Sequence, residues 1–292
     1  MSGITLLDGG LGQELVHRAG DNPTPLWSTQ IMIDHPGMTE GVHRDFCTAG
    51  ATIATTNTYA IHRDRLEGTG LEVMFADLHM KAVYEAKQAE PLRIAGAIGP
   101  LGASYRFDVL PPHDEAVEKF REVVSILATH VDLFICETVI SVAHTAAILE
   151  ATHGVGKPVW VAFSVSDSDG TVLRSGEPLA DALSIAGIAD AVMVNCSAPE
   201  SIPAALDILA TTGKPYGAYA NGFEQITEDF LGDKPTVDAL SKRHDFTPAH
   251  YADHAMSWVE HGATIIGGCC EVGPSHIAQI ANRLRAAGHT IV

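Results

Sequence analysis

ATIIGGCCEVGPSHIAQIANRLRAAG, residues 263–288, holds one strand, one loop and one helix in sequence, and its reading decides the fold. ATIIGG (263–268) is a short apolar, β-branched run of the kind that forms a strand covered on both faces. PSHIAQIANRLRAAG (274–288) has helical spacing, with Pro274 suited to the first helical position and Gly288 to a C-terminal stop. The connection between them carries two glycines and then two adjacent cysteines.

Working outward, the same unit recurs along the chain. Strands are expected at ITLLD (4–8), ATIATT (51–56), RIAGAI (93–98), DLFICE (132–137), PVWVAFSV (158–165), DAVMVN (190–195) and PYGAYA (215–220), with ATIIGG as the eighth. Amphipathic stretches lie between them, among them 71–88, 114–130, 141–153, 200–211 and 247–262. Eight strand–helix units in 292 residues is the count and size of an α/β protein of the (β/α)8, or TIM-barrel, class. A doubly wound sheet is the runner-up, but the GGLG at 9–12 does not match the GxGxxG that commonly follows its first strand. Residues 1–292 are read as one barrel domain. The one long irregular region, 221–245, falls between the seventh strand and its helix, where it would serve as a lid or as a contact in a homo-oligomer.

Composition narrows the partners. Lys+Arg total 18 against 36 Asp+Glu, a formal charge of -18. Such a surface repels phosphate, which argues against nucleic acid and anionic membranes and is compatible with cationic or zwitterionic small molecules. MSGITLLDGG at the start lacks a basic segment followed by an apolar core, and no run reaches the ~18 apolar residues of a membrane span, so a cytoplasmic protein is expected. Five cysteines in such a chain point to thiols or metal ligands over disulfides.

In a barrel of this class the C-terminal ends of the strands form the active face. That rim reads Asp8 after the first strand, Thr56 and Asn57 after the second, Glu137 after the fourth, Asn195 and Cys196 after the sixth, and Cys269 and Cys270 after the eighth. Three thiols therefore converge on one edge of the mouth. Consecutive strand residues point to opposite faces, so adjacent cysteines need a turn in order to share a ligand. Gly267 and Gly268 are expected to supply it by taking dihedrals forbidden to other residues. Three thiolates suit Zn²⁺ and leave its fourth position open, as in a catalytic site, although sequence leaves a fourth protein ligand possible. The plain alternative for any cysteine is a small buried hydrophobe, which is the reading for Cys47, within a helix, and for Cys136, which should face away from Glu137.

Taken together, DGGLGQEL (8–15), TNTY (56–59), ETV (137–139), NCS (195–197) and GGCC (267–270) resemble the homocysteine S-methyltransferase family, in order and over nearly the whole chain. That family includes betaine-dependent and S-methylmethionine-dependent enzymes and the homocysteine domain of cobalamin-dependent methionine synthase. The resemblance implies one zinc held by Cys196, Cys269 and Cys270, with Asp8 and Glu137 near the amino-acid end of homocysteine. Under it, Glu137 pairs with the substrate ammonium, backbone amides around Gly9 and Gly10 receive the carboxylate, and Thr56, Asn57 and Asn195 complete the substrate-binding set. The implied reaction is zinc-dependent methyl transfer from a small sulfonium or ammonium donor, S-methylmethionine favoured over betaine, to give methionine. Trp27, Tyr59, Tyr105 and Phe107 are the aromatic candidates to face the donor cation.

SYRFDV (104–109) and NGFEQI (221–226) depart from the acidic-Tyr-Arg-Gly and Asn-Ser-Gly-Glu types of segment found in the family, and both bear on the donor. Two rival readings are a non-catalytic zinc- or thiol-binding homologue and a glycoside hydrolase acting through Glu137. The latter lacks a second carboxylate on its seventh strand, which ends YANG. His250 and His254 lack the glutamate of an HExxH site and are read as surface or packing residues, and DSDG (167–170) as a turn.

Overall fold

The computed structural model describes residues 3–20, 24, 26–224, 226, 231 and 240–292. Among them run nine strands: β1 (Gly3–Leu6), β2 (Ile53–Thr55), β3 (Arg93–Ile98), β4 (Leu133–Val139), β5 (Val159–Phe163), β6 (Ala191–Asn195), β7 (Tyr216–Tyr219), β8 (Ile265–Ile266) and β9 (Thr290–Ile291). Eleven α-helices accompany them: α1 (Leu11–Ala19), α2 (Ser28–Asp34), α3 (Met38–Ala49), α4 (Arg63–Leu66), α5 (Phe75–Gln88), α6 (His113–Leu127), α7 (Val142–Thr152), α8 (Leu179–Ile185), α9 (Ile202–Ala210), α10 (Pro248–Glu260) and α11 (Pro274–Ala286).

All strand pairings are parallel, in the order β2-β3-β4-β5-β6-β7-β8-β1-β9. The sheet closes on itself: Leu7 bridges Ile53, and the Thr52 amide donates to Leu6 O at 2.8 Å. Closure sets aside the doubly wound alternative and gives the expected (β/α)8 barrel. The eighth strand shrinks to two residues, and β9, absent from the sequence reading, adds to β1, where the Thr52 hydroxyl donates to Val292 O at 2.8 Å.

Alternation along each strand sorts side chains into two cores. Leu133 and Ile135 of β4 join Ile53, Ala95, Trp160 and Met193 inside the barrel. Phe134 and Cys136, one step out of phase, pack with the helices in the outer core. The same phase carries Glu137 and Asn195 inward at the C-terminal rim. Helix starts are fixed where side chains can satisfy their free amides: Ser141 accepts from the His144 amide, and Thr247 from that of His250.

Candidate metal centre and substrate cavity

Cys196 follows β6, and Cys269 and Cys270 follow β8, so β7 alone separates their strands. The three Sγ atoms lie within 4.8 Å of one another. Contrary to the expectation of free thiols, Cys196 and Cys269 are joined as a disulfide, with Cα atoms 5.8 Å apart. Converging sulfurs are within reach of one another as well as of a shared ligand. Cys270 keeps its thiol, which burial, aided by the charge of Glu271, pushes up to about 12. A thiolate at such a place calls for a neighbouring cation. Once the Cys196–Cys269 bond is reduced the donor set fits one: three thiolates with this spread can surround a single Zn²⁺ at its usual sulfur distance of ~2.3 Å.

The turn that brings Cys269 and Cys270 together is made differently from the sequence expectation. Neither Gly267 nor Gly268 has a positive φ. They are small because space is short. A Cβ on Gly267 would lie 2.6 Å from that of Leu7, and one on Gly268 would lie 2.0 Å from Val272 Cγ1. Beside the sulfurs, the left-handed backbone falls instead at Cys196, φ +48°, and Glu271, φ +67°. Tyr251, fully buried on α10, secures the approach: its hydroxyl donates to Gly267 O at 2.7 Å and accepts from the Ala220 amide at 3.1 Å.

A cavity of about 420 Å³ opens beside the sulfurs, and its wall includes Asp8, Gly9, Thr56, Asn57, Glu137, Asn195, Cys196, Cys269 and Cys270. Asp8 is buried and accepts from the Thr55 amide at 2.7 Å and from the Thr55 hydroxyl at 2.8 Å. Burial pushes its carboxyl up to about 8, against the Thr55 bonds and with help from the charge of Glu137. Glu137 Oε1 accepts from the Tyr219 hydroxyl at 3.0 Å, while Oε2 has no hydrogen-bond partner among the described residues. Burial brings Glu137 to about 7, and the Tyr219 bond opposes the rise.

The other expected substrate contacts are turned largely toward the protein. Asn195 Oδ1 accepts from the Thr138 amide at 3.0 Å and its Nδ2 donates to the Thr138 hydroxyl at 3.1 Å, which fixes the left-handed residue after Glu137. Asn57 accepts from the Ser28 hydroxyl at 2.7 Å and donates to Ser28 O at 3.1 Å, tying the end of β2 to α2. The Thr56 hydroxyl accepts from the Ala97 amide at 3.1 Å. The Gly10 amide donates to Val272 O at 2.9 Å, so it is not open to a substrate carboxylate as expected.

Trp27, Tyr59 and Tyr105 line the cavity, with the Trp27 and Tyr59 rings edge to face at 6.2 Å between centroids. Phe107 does not line it; half of its surface is exposed on a 3₁₀ turn. Cys136 is fully buried among the outer helices, as read, whereas Cys47 lies in α3 as expected but is only half-buried. The His250 and His254 rings neighbour one another on α10, tilted by 39° with centroids 4.9 Å apart. Of the 221–245 segment, residues 225, 227–230 and 232–239 lie outside the described residues, as does Gln225 of NGFEQI. Sequence reasoning passed over Tyr219, Thr55 and Tyr251. Only the strand-end positions of Tyr219 and Thr55 could have marked them.

Comparison with known proteins agrees with this arrangement. The family model described as homocysteine S-methyltransferase matches residues 5–284. A homocysteine S-methyltransferase of Escherichia coli is 31% identical across 96% of this chain and 95% of its own. A selenocysteine Se-methyltransferase of Brassica oleracea is 26% identical across 97% and 89%. Among solved structures, the homocysteine methyltransferase MmuM of Escherichia coli in its metallated form superposes with a TM-score of 0.80 at 27% identity, covering 96% of both chains. Its oxidised form gives 0.79. With three sulfurs, a buried Asp8 and a half-buried Glu137 gathered at the mouth of a closed barrel, and with this likeness over nearly its full length, the chain is a methyltransferase that belongs to the homocysteine S-methyltransferase family.

Proposed function

We propose that the chain, as a single barrel domain over residues 1–292, transfers a methyl group from a small sulfonium donor to the thiol of L-homocysteine, with one Zn²⁺ held by Cys196, Cys269 and Cys270. The observation that carries this reading is the convergence of those sulfurs, within 4.8 Å, on a cavity also walled by Asp8 and Glu137. Bound zinc would supply the charge that keeps the acceptor thiol deprotonated at neutral pH.

The protein's own groups supply the rest. Glu137, fixed through Oε1 by Tyr219, offers Oε2 to the substrate ammonium. Asp8, held by Thr55, sets the second carboxyl wall of that end. Gly9, Thr56, Asn57 and Asn195 shape the cavity more than they bind, because the polar atoms of the last three already serve protein partners. The acceptor sulfur forms a bond to the donor methyl carbon as the donor's sulfur–carbon bond breaks, its electron pair staying on the donor sulfur. From S-methylmethionine and homocysteine this yields two molecules of methionine. An anion and a cation thereby become two neutral thioethers, so a cavity poor in water favours the step. Trp27 and Tyr59 offer aromatic rings to the donor cation, and S-methylmethionine is favoured over betaine.

Substrates are therefore small molecules. The charge of -18 opposes nucleic acid. No helix among the described residues is long and apolar enough to cross a membrane, and we place the activity in the cytoplasm. The test is metal analysis of the reduced protein followed by methionine formation from homocysteine with S-methylmethionine or betaine. Zinc at one per chain with S-methylmethionine-dependent turnover is expected. A metal-free protein that turns over equally well would refute the zinc assignment.

A further inference from the structure

Cys196 holds a left-handed backbone, which an L-residue keeps only where its surroundings fix it. Its amide donates to Tyr219 O at 3.2 Å. Its carbonyl accepts two bonds, from the Ser164 hydroxyl at 3.1 Å and from Arg174 Nη2 at 2.9 Å. The Arg174 side chain is only 10% exposed and is itself held on several sides. Nε donates to the Ser164 hydroxyl at 2.8 Å, while Nη1 and Nη2 donate to the two oxygens of Asp167 at 3.1 and 2.8 Å. Asp167 also accepts from the Ala198 amide at 2.9 Å, two residues beyond Cys196, and from the Ile226 amide at 3.4 Å. The guanidinium carbon lies 4.8 Å from the centre of the Tyr105 ring, which lines the cavity. None of Ser164, Asp167 and Arg174 lines the cavity itself.

We propose that Arg174, fixed by Asp167, is a positioning residue that sets the direction of the Cys196 sulfur and ties it to the Tyr105 wall. The proposal rests on the zinc reading above. It also gives a role to the first residue of DSDG, which looked like part of a turn. One planar, forked group serves the Cys196 carbonyl, Ser164 and a carboxylate at once; the ammonium of lysine cannot hold that geometry. Groups behind metal ligands commonly govern metal affinity by about 10–100-fold.

The experiment titrates the reduced, metal-free full chain with Co²⁺ and follows thiolate-to-cobalt absorption, which reports both affinity and the number of thiolates. Arg174→Met should bind Co²⁺ about 10–100-fold more weakly than the unsubstituted protein, with lower absorption per bound cobalt as Cys196 leaves the set. Arg174→Lys should fall between the two. Wild-type affinity in Arg174→Met, or weaker binding with absorption per cobalt intact, would overturn the proposal. Should Arg174→Met fail to fold, Ser164→Ala decides, because it removes the other donor to the same carbonyl. A loss of about tenfold supports the proposal and unchanged affinity overturns it. An unsubstituted protein that takes up no Co²⁺ when fully reduced would instead sink the metal reading on which the proposal stands.

Discussion

The Tyr219 hydroxyl donates to Glu137 Oε1 at 3.0 Å, joining the ends of β7 and β4 across the barrel mouth. It is a hydrogen bond to a carboxylate that burial pushes toward its neutral form. Hydrogen bonds to charged groups contribute ~1.5–3 kcal/mol. Tyr219→Phe should therefore raise the KM for homocysteine about tenfold or more, with metal content unchanged. Steady-state kinetics at saturating donor checks this, and an unchanged KM would remove Glu137 from acceptor binding.

The position of Glu137 near 7 gives the binding step a pH dependence with a defined sign. An ammonium prefers the carboxylate form, so homocysteine affinity should fall as pH drops from 8 to 6, by about tenfold if Glu137 acts alone. Calorimetric binding at the two pH values measures it, and Glu137→Gln should flatten the difference. For stability the sign reverses. Because the folded values of Glu137 and Asp8 are raised to about 7 and 8, their contribution is full below the ordinary carboxylate range and is lost as pH rises through those values. The denaturation midpoint of the metal-free protein should decline from pH 5 to 8, and less so in Asp8→Asn.

Gly268 tests how the cysteine turn is built. An added Cβ would meet Val272 Cγ1 at 2.0 Å with no positive φ to blame. Gly268→Ala should shift the Cys269–Cys270 turn and weaken zinc binding at least tenfold, as misplacing ligands does. Competition with a chelator of known affinity gives the value. Wild-type affinity would show that the turn tolerates the displacement.

Cys136 and Cys269 should part company under the same substitution. Cys136 is fully buried among apolar side chains, so Cys136→Ser buries a hydroxyl at a cost of about 1–3 kcal/mol while zinc stays bound. Cys269→Ser should remove zinc and activity. Denaturant titration and metal analysis on the two variants separate packing from ligation, and zinc loss in Cys136→Ser would contradict the division.

The barrel was legible because strands covered on both faces read as uninterrupted apolar runs. RIAGAI became β3 over its full extent, and period-two alternation already set Cys136 and Glu137 on opposite faces, with Cys136 in the outer core. The rim residues followed from strand ends. Their supporting bonds did not, because Tyr219 lies 82 residues from Glu137 and Thr55 lies 47 from Asp8, and nothing local marks such pairs. Gly267 and Gly268 were misread for a physical reason. Glycine serves both unusual dihedrals and close approach, and only the neighbours Leu7 and Val272 tell which. In DSDG the local part was read correctly, since Asp169 accepts from the Thr171 amide at 2.9 Å, whereas the reach of Asp167 to Arg174 needed the fold.

X-ray absorption at the zinc edge of the reduced protein, before and after homocysteine, reads the sulfur environment directly. Three sulfur neighbours and one lighter atom should become four sulfurs at ~2.3 Å when homocysteine is added. A zinc environment unaltered by homocysteine, or one with fewer than three sulfurs at the outset, would contradict the assignment of Cys196, Cys269 and Cys270 as the site where the acceptor thiol is held.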